Sequence, residues 1–424
     1  MKVSSFLVLS AFQTPRNHKA APTISSSSRA DSEYSLYAKP KRLEENVDGL
    51  LYVNDRCINC AACSYFAPQT FTRSKLTQHH VVYKQPENPL SEDFQKARAA
   101  LAACPVSAIR TMSKGENHGL VELTPKEIET SKAYAINPKV NGIPLPFPLR
   151  LSENVWMIGH HSQKSFGAIP YLVRGEYTVD GEKREISIMV DVPKFSKSAI
   201  AAVKKVLGNN HGPDYLFLTH VDDTAQHNDW KNEFPSIKRI FHAGDLGANN
   251  WIGDESLNDV EILLKESSQA RKGIFKVFSI DGRSSDCVNT NDINIENKLE
   301  HLFQEWGTDL LIFHTPGHSP GSISLFHRNL VGTIFTGDTY SFTTRDGGHM
   351  TGFPRYGNNL EEQSDALQLF RKISCLLDYV APGHGHVRNY IEFAKTNDYL
   401  STEQLLNLKQ QDVDDALRDL KIIT

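Results

Sequence analysis

Four of the six cysteines stand in a pattern suited to metal ligation: Cys57-Ile-Asn-Cys60-Ala-Ala-Cys63, and far downstream Cys104-Pro105. Thiolates are soft ligands, and gaps of two residues let three sulfurs converge on one face of an iron–sulfur cluster. A Cys₄ zinc site is the alternative, but structural zinc favours two separate C-x₂₋₄-C pairs. A second set of ligand-type residues lies in the latter half of the chain. It comprises Thr219-His220-Val-Asp222-Asp223-Thr224-Ala225-Gln-His227, Thr315-Pro-Gly-His318-Ser-Pro-Gly-Ser322, Phe335-Thr-Gly-Asp338, Pro382-Gly-His384-Gly385, and Asp191. Imidazoles and carboxylates in Gly- or Pro-rich turns after short apolar runs can point from several strand ends into one cleft. That chemistry is binding of a divalent metal.

The cysteine pattern resembles single-cluster [4Fe–4S] ferredoxins. In two-cluster ferredoxins the run is C-x₂-C-x₂-C-x₃-C-P, and its fourth cysteine serves the other cluster. Here Ala67-Pro68 keeps the proline and loses that cysteine, so the resemblance implies one cluster held by Cys57, Cys60, Cys63 and Cys104. Tyr65 and Phe66 are expected to pack near it, and His79 and His80, in a polar insertion, to face solvent.

The second set resembles the metallo-β-lactamase superfamily, in the style of glyoxalase II, whose motifs T-P-G-H-T-x-G-S, F-x-G-D and P-G-H-G occur here in the same order. The leading motif, H-x-H-x-D-H in the family, is altered. His220 is kept, Asp222 replaces the second His, and Thr224 and Ala225 replace the last two ligands. Carried over, the resemblance implies one divalent ion, zinc or iron, at His220, Asp222, His318 and Asp338, with His384 beside an open position. Asp338 and His384 are the expected catalytic residues. His227 is a further candidate ligand, against the reading that it lies on the next helical turn, and Asp223 is a weaker one. Asp191 is expected behind the ligands, orienting them. His242 and the pair His160-His161 are expected to serve packing. The glycine-rich loop 345–356, with Met350, is expected to border substrate. Cys287 and Cys375 read as a loop thiol and a buried apolar residue.

Three functions remain open at this point. The first is a hydrolase of an ester- or thioester-type small molecule, since zinc lowers the pKa of a bound water and polarises a carbonyl. The second is an oxidoreductase in which the cluster serves a mononuclear non-haem iron. The third is a non-catalytic electron-transfer adaptor.

The elements that must position these residues follow from periodicity. Apolar runs at 155–159, 169–173, 186–191, 215–219, 240–243, 310–314, 323–326 and 331–336 predict strands. Segments 91–103, 196–207 and 360–377 predict helices. The fold class expected is α+β, a small ferredoxin-like domain at 49–111 followed by an αββα metallo-β-lactamase sandwich at 151–395. A proline-spaced linker at 112–150 and a C-terminal helical tail at 396–424 complete the arrangement.

Residues 1–45 read as an address. Lys2 and the apolar run Phe6–Leu9 precede Ser10-Ala11-Phe12, and then a serine-rich, basic stretch without acidic residues runs to Ala30. This resembles the two-part presequences of algae with plastids of eukaryotic origin, and it implies the plastid stroma. A secreted protein or a plain tail is the alternative. The net charge of -4 shows no basic excess for a nucleic-acid partner. No apolar run reaches the length of a membrane span, and mean hydropathy is -0.40. The expected partners are a small-molecule substrate and a redox partner.

Overall fold

The computed structural model describes residues 40–87, 91–112, 124–134, 146–179, 182–208, 211–265, 273–328, 332–344, 348–396 and 400–421. The expected presequence therefore lies almost wholly outside the described residues, as does much of the expected linker.

The N-terminal module is built from β1 (Leu51–Val53), α1 (Ala62–Phe66), β2 (Phe71–Arg73), β3 (His80–Val82), α2 (Glu92–Ala103) and β4 (Ile109–Thr111). Strands β1 and β4 pair antiparallel, as do β2 and β3. Helix α2 starts where its N-cap predicts, with Ser91 Oγ accepting from Phe94 N. Its small apolar face, Ala97, Ala100 and Ala103, is fully buried. Part of the expected linker is a helix, α3 (Pro125–Ala133), closed by a Thr124/Glu127 capping box. Tyr134, just after it, stacks on Phe94 at 4.2 Å.

The remainder holds two seven-stranded sheets. The first contains β5 (Leu149–Ser152), β6 (Val155–Met157), β7 (Tyr171–Val179), β8 (Glu182–Val190), β9 (Tyr215–Phe217), β10 (Lys238–His242) and β11 (Ile262–Leu264), ordered 11-10-9-8-7-6-5. The second contains β12 (Ile274–Phe278), β13 (Ser284–Asn289), β14 (Leu310–His314), β15 (Ile323–His327), β16 (Thr333–Gly337), β19 (Tyr379–Pro382) and β20 (Arg388–Asn389), ordered 13-12-14-15-16-19-20. A small hairpin, β17 (Ser341–Thr343) with β18 (His349–Thr351), lies outside both.

The apolar alternation of each strand decides how the sheets stack. Val173, Val190, Phe217 and Ile240 from the first sheet share one core with Ile312, Leu325, Phe335 and Ala381 from the second. On the outer face of the first sheet, Leu172, Met189 and Leu216 pack with α4 (Lys197–Leu207) and α5 (His227–Glu233). On that of the second, Leu311, Phe313 and Ile334 pack with α6 (Ile295–Trp306), α7 (Leu360–Lys372) and α9 (Thr402–Lys421). The order of layers is helix, sheet, sheet, helix, as expected. The C-terminal helix is part of that cover, with Val413, Ala416 and Leu420 buried. A short helix, α8 (Tyr390–Thr396), precedes it.

The module and the sandwich share a continuous core, because Leu51, Phe66 and Phe94 belong to the same buried cluster as the inter-sheet residues. Phe147 joins them, its ring edge-on to Phe66 at 5.3 Å. Among the described residues no helix is long and apolar enough to cross a membrane.

Candidate functional sites

Cys57, Cys60, Cys63 and Cys104 line one cavity with Val53, Ala62, His80 and Ile109. Asn59 and Ala61 take left-handed backbone angles, φ 61° and 65°, and coil the loop so that its cysteines turn inward. Ala108 N donates to Cys104 Sγ at 3.1 Å. Burial pushes the Cys60 thiol up to about 12 and raises Cys63 and Cys104 as well, with the neighbouring cysteines adding to the effect. Backbone N–H groups offset only part of this burial cost, which suits a cavity whose positive charge arrives as iron.

His80 is not solvent-exposed as expected. It is 3% exposed, and its Nε2 lies 3.2 Å from Ser64 Oγ. The polar insertion folds back as the β2–β3 hairpin, and His80 opens a strand that is buried along its length. His79 is half-buried. Phe66 and Tyr65 turn towards the sandwich, Phe66 meeting His161 at 6.1 Å and Tyr65 meeting His386 at 5.0 Å between ring centres.

The second site forms where strands of both sheets end. Beyond β9, His220 opens a short 3₁₀ turn, Val221–Asp223. Its Nδ1 is 2.9 Å from Thr219 Oγ1, which donates onward to Asp191 Oδ2 at 3.1 Å. Thr219 N also donates to Asp191 Oδ1 at 2.9 Å. This chain holds the proton on His220 Nδ1 and leaves Nε2 as a lone-pair donor, and it gives Asp191 the orienting place expected for it. His318 follows β14, its ring edge-on to His220 at 4.7 Å. Asp338 follows β16, with Oδ2 3.9 Å from His220 Nε2 and 3.8 Å from His318 Nε2. Asp222 Oδ2 approaches the same two nitrogens at 3.8 and 3.5 Å.

His220, His318 and Asp338 thus present ligand atoms within 4.8 Å of one another. Asp223, Asp338 and His384 form a second such group. His220 Nε2, both nitrogens of His318, both oxygens of Asp223 and His384 Nε2 are buried without a hydrogen-bond partner. Buried polar atoms are seldom left so, and His220 Nε2 and His318 Nε2, which face the same carboxylates, fit a site whose partner is a cation. Glycines make the approach possible. A Cβ at Gly337, φ +50°, would stand 2.8 Å from Thr219 Oγ1, and one at Gly383 would stand 2.9 Å from Asp223 Oδ2 and 3.0 Å from Asp338 Oδ1.

The charges in the site act strongly on one another. Burial pushes the His384 imidazole down, but the Asp338 and Asp223 carboxylates beside it reverse this and lift it to about 10. The Asp338 carboxyl, raised by burial, is carried well below its usual range by His384 at 2.9 Å. Asp223, wholly buried, is pushed well up. His220 falls to about 4, from burial and then from His318. The site opens to solvent on one side, where Asp222, His384 and Asp338 keep 19%, 17% and 11% of their side chains exposed.

His227 does not join the ligands. It begins α5, buried, with Nδ1 3.1 Å from Arg239 Nη1 and Nε2 3.1 Å from Ser256 Oγ and 3.3 Å from Asp254 Oδ2. The helix carries it away from the turn that bears His220. Asp223 takes the nearer place because the 3₁₀ turn points it inward. Thr224 Oγ1 is committed to Val221 O at 2.9 Å. His242 stacks on His314 at 4.1 Å, and His161 Nδ1 lies 3.1 Å from Gly167 O. Met350 is fully buried in the core and does not border the site; residues 345–347 of its loop lie outside the described residues. Cys375 is exposed rather than buried, with Sγ 2.9 Å from Glu296 Oε1. The side chain of Cys287 lies outside the described residues.

Two supporting residues have no ligand-like signature in the sequence. Asp245, fully buried, accepts from Val221 N at 2.9 Å, Ser319 Oγ at 2.7 Å and Gly321 N at 2.6 Å, and so ties the His220 turn to the His318 loop. Gln363 of α7 donates to Gly352 O and to Thr339 O.

Comparison with known proteins divides along the same line as the structure. Residues 53–111 match the family described as the 4Fe-4S single cluster domain of ferredoxin I. This segment is a single-cluster ferredoxin-type domain. Solved structures similar to the chain include the DIM-1 metallo-beta-lactamase, at 14% identity and TM-score 0.37, covering 62% of this chain and 95% of that one. An archaeal metallo-beta-lactamase superfamily protein from Sulfolobus tokodaii matches at 18% identity and TM-score 0.30, over 60% of this chain and 93% of its own. A metallo-beta-lactamase from Erythrobacter litoralis matches at 15% and 0.34, over 62% and 91%. No curated protein matches.

Proposed function

We propose that the chain is a metal-dependent hydrolase of an ester- or thioester-type small molecule, with a 4Fe–4S module docked beside its metal centre. The observation that carries this reading is the convergence of His220 Nε2 and His318 Nε2 on Asp338 Oδ2, both nitrogens being buried without a hydrogen-bond partner among the described residues. Asp222 completes a four-residue donor set of two imidazoles and two carboxylates, which suits zinc, iron or manganese. Asp223, Asp338 and His384 make a second, three-residue subsite with fewer donors and weaker hold.

What a divalent ion supplies there is a water of lowered pKa and a Lewis acid for a carbonyl. The protein's own groups do the rest. When no ion holds the second subsite, Asp338 and His384 can share a proton between Oδ1 or Oδ2 and Nδ1, at 2.9 and 3.0 Å, and so supply one to a leaving group. Asp191 and Thr219 keep the His220 ring in place. The test is hydrolysis of a panel of esters and thioesters by metal-loaded protein, with His318→Ala as the reference. Activity in the wild type that is lost in His318→Ala is the expected result. A wild type no faster than His318→Ala on every substrate refutes the reading.

A second reading, a ferredoxin-coupled oxidoreductase with a non-haem iron, is favoured by one feature. The segment 159–169 touches both sites: a Cβ at Gly167 would lie 3.4 Å from Cys60 Sγ, and Ile169 N donates to Gly383 O, next to His384, at 2.8 Å. Iron rather than zinc in the second site, with cluster reoxidation on adding substrate, separates the two readings. We further propose import into the plastid stroma by residues 1–45, tested by following a fluorescent fusion of that segment; a secreted fusion contradicts it.

A further inference from the structure

Trp251 keeps 46% of its surface exposed, yet its indole N–H donates to Asp222 Oδ1 at 2.6 Å. The other oxygen, Oδ2, is the one that faces His318 Nε2 and His220 Nε2. An imidazole offers a metal one atom at a time, whereas a carboxylate can offer one oxygen or two. With Oδ1 turned to the indole, Oδ2 is the oxygen that Asp222 presents to an ion. We propose that Trp251 is a positioning residue that fixes Asp222 as a one-oxygen metal ligand and so sets the coordination number at His220, Asp222, His318 and Asp338. This rests on the metal-centre reading above and adds to it a residue that touches no metal.

The segment carrying Trp251 is fastened on both sides. Asn249 Nδ2 donates to Gly244 O and Asn250 Nδ2 to Asp254 O, both at 2.8 Å. Gly253 N donates to Asn250 O at 3.1 Å, and left-handed glycines, Gly247 at φ +60° and Gly253 at φ +72°, bracket the turn. Just beyond it, Asp254 and Ser256 hold His227 Nε2 at 3.3 and 3.1 Å. The far side of that ring meets Arg239, which Glu261 pairs at 3.0 Å. His227, the candidate ligand, thus anchors the strap that brings Trp251 to Asp222. Indole has a single polar atom, a donor, so the contact with Asp222 uses all of its hydrogen-bonding capacity.

The test uses the full chain with its cluster intact and Co²⁺ as the probe, comparing wild type with Trp251→Phe, which keeps an aromatic ring and removes the N–H. Co²⁺ ligand-field absorption, read as a difference spectrum against the Co²⁺-free protein, weakens as coordination number rises. In Trp251→Phe the freed Oδ1 joins the ion, so the coordination number rises and the bands lose intensity. Trp251→Leu, a second N–H-free variant, gives the same change. Wild-type band intensity in both variants, while Asp222→Asn still weakens binding, overturns the proposal and leaves the metal centre standing. A wild type that takes up no Co²⁺ overturns the metal-centre reading itself, and the two failures are thereby distinct.

Discussion

Replacing Gly167 by alanine places one methyl group in the seam between the cysteine loop and the sandwich. Its Cβ would stand 3.1 Å from Cys60 Cβ, 3.3 Å from Pro105 Cγ and 3.4 Å from Cys60 Sγ. Neither neighbour is a flexible chain end: one is the stem of a cluster ligand and the other a proline ring. The backbone adds to the cost, because Gly167 sits at φ +94°. Holding a residue with a Cβ in such a region costs about 1–3 kcal/mol. Overpacking a filled seam costs about 1–3 kcal/mol more. The sum, about 2–6 kcal/mol, is enough to move the loop rather than compress it. That loop also carries the contacts of His161 with Gly167 O and of Ile169 with Gly383 O. The variant should melt several degrees lower and lose its visible cluster absorption faster in air. Gly208→Ala is the control, since Gly208 has φ +67° with nothing within 4 Å of its Cβ position, and so reports the backbone cost alone. If Gly167→Ala melts no lower than Gly208→Ala and its cluster lasts as long as the wild type's, the seam is not packed as described.

The other predictions concern the metal site and its supports. Asp245→Asn leaves one acceptor oxygen where two now receive three donors, and should cost about 2–4 kcal/mol in denaturant unfolding and weaken metal uptake in titration; an unchanged midpoint and affinity would count against its role as a clamp. Asp223→Asn should lose the second of two Co²⁺ equivalents and keep the first, and loss of the first instead would mean that the two subsites are assigned wrongly. Glu261 supplies a pH signature: burial raises its carboxyl, but Arg239 and Lys231 bring it from 4.5 down to about 2. A depressed folded pKa stabilises the fold above the unfolded value and loses that stabilisation as pH falls through the folded one. The stability gap between wild type and Glu261→Gln, about 1–2 kcal/mol after discounting for partial exposure, should therefore be flat above about pH 5 and close towards pH 2. A gap that persists unchanged at the acid end would show that the charge of Glu261 is not its source.

Strand cores and caps were the legible part of the fold. The run 310–314 is β14 residue for residue, and Ser91 and Ser196 cap the helices they were expected to start. The β7–β8 hairpin is longer than its apolar run because its outer half is solvated, with Glu182, Lys183, Arg184 and Glu185 all exposed. Nothing apolar marks those positions, so only the pairing with β7 reveals them as strand. Four of the six metal-type ligands expected from the sequence, His220, Asp222, His318 and Asp338, stand at one centre, with His384 adjoining. His227 fell away because helix phase, which spacing alone does not fix, turned it towards Asp254. The same uncertainty in the other direction made Asp223 the weaker candidate, although the 3₁₀ turn brings it to Asp338 and His384. Asp245 and Trp251 act through loops that approach only in the folded chain, and their local sequence has no ligand-like spacing to mark them. His80 looks solvated in the sequence because it belongs to a His-His pair in a polar stretch, and the β2–β3 pairing buries it.

In the proposed reading the sandwich holds a divalent ion of its own at His220, Asp222, His318 and Asp338, beside a complete four-cysteine cluster. Metal analysis of natively purified, anaerobically handled protein, with EPR of the reduced sample, tests it most directly when wild type and His318→Ala are compared. A reduced [4Fe–4S] signal in both and at least one further divalent ion in the wild type alone are expected. A wild type whose only metal is the iron of its cluster, or a His318→Ala variant with the same metal content as the wild type, would contradict it.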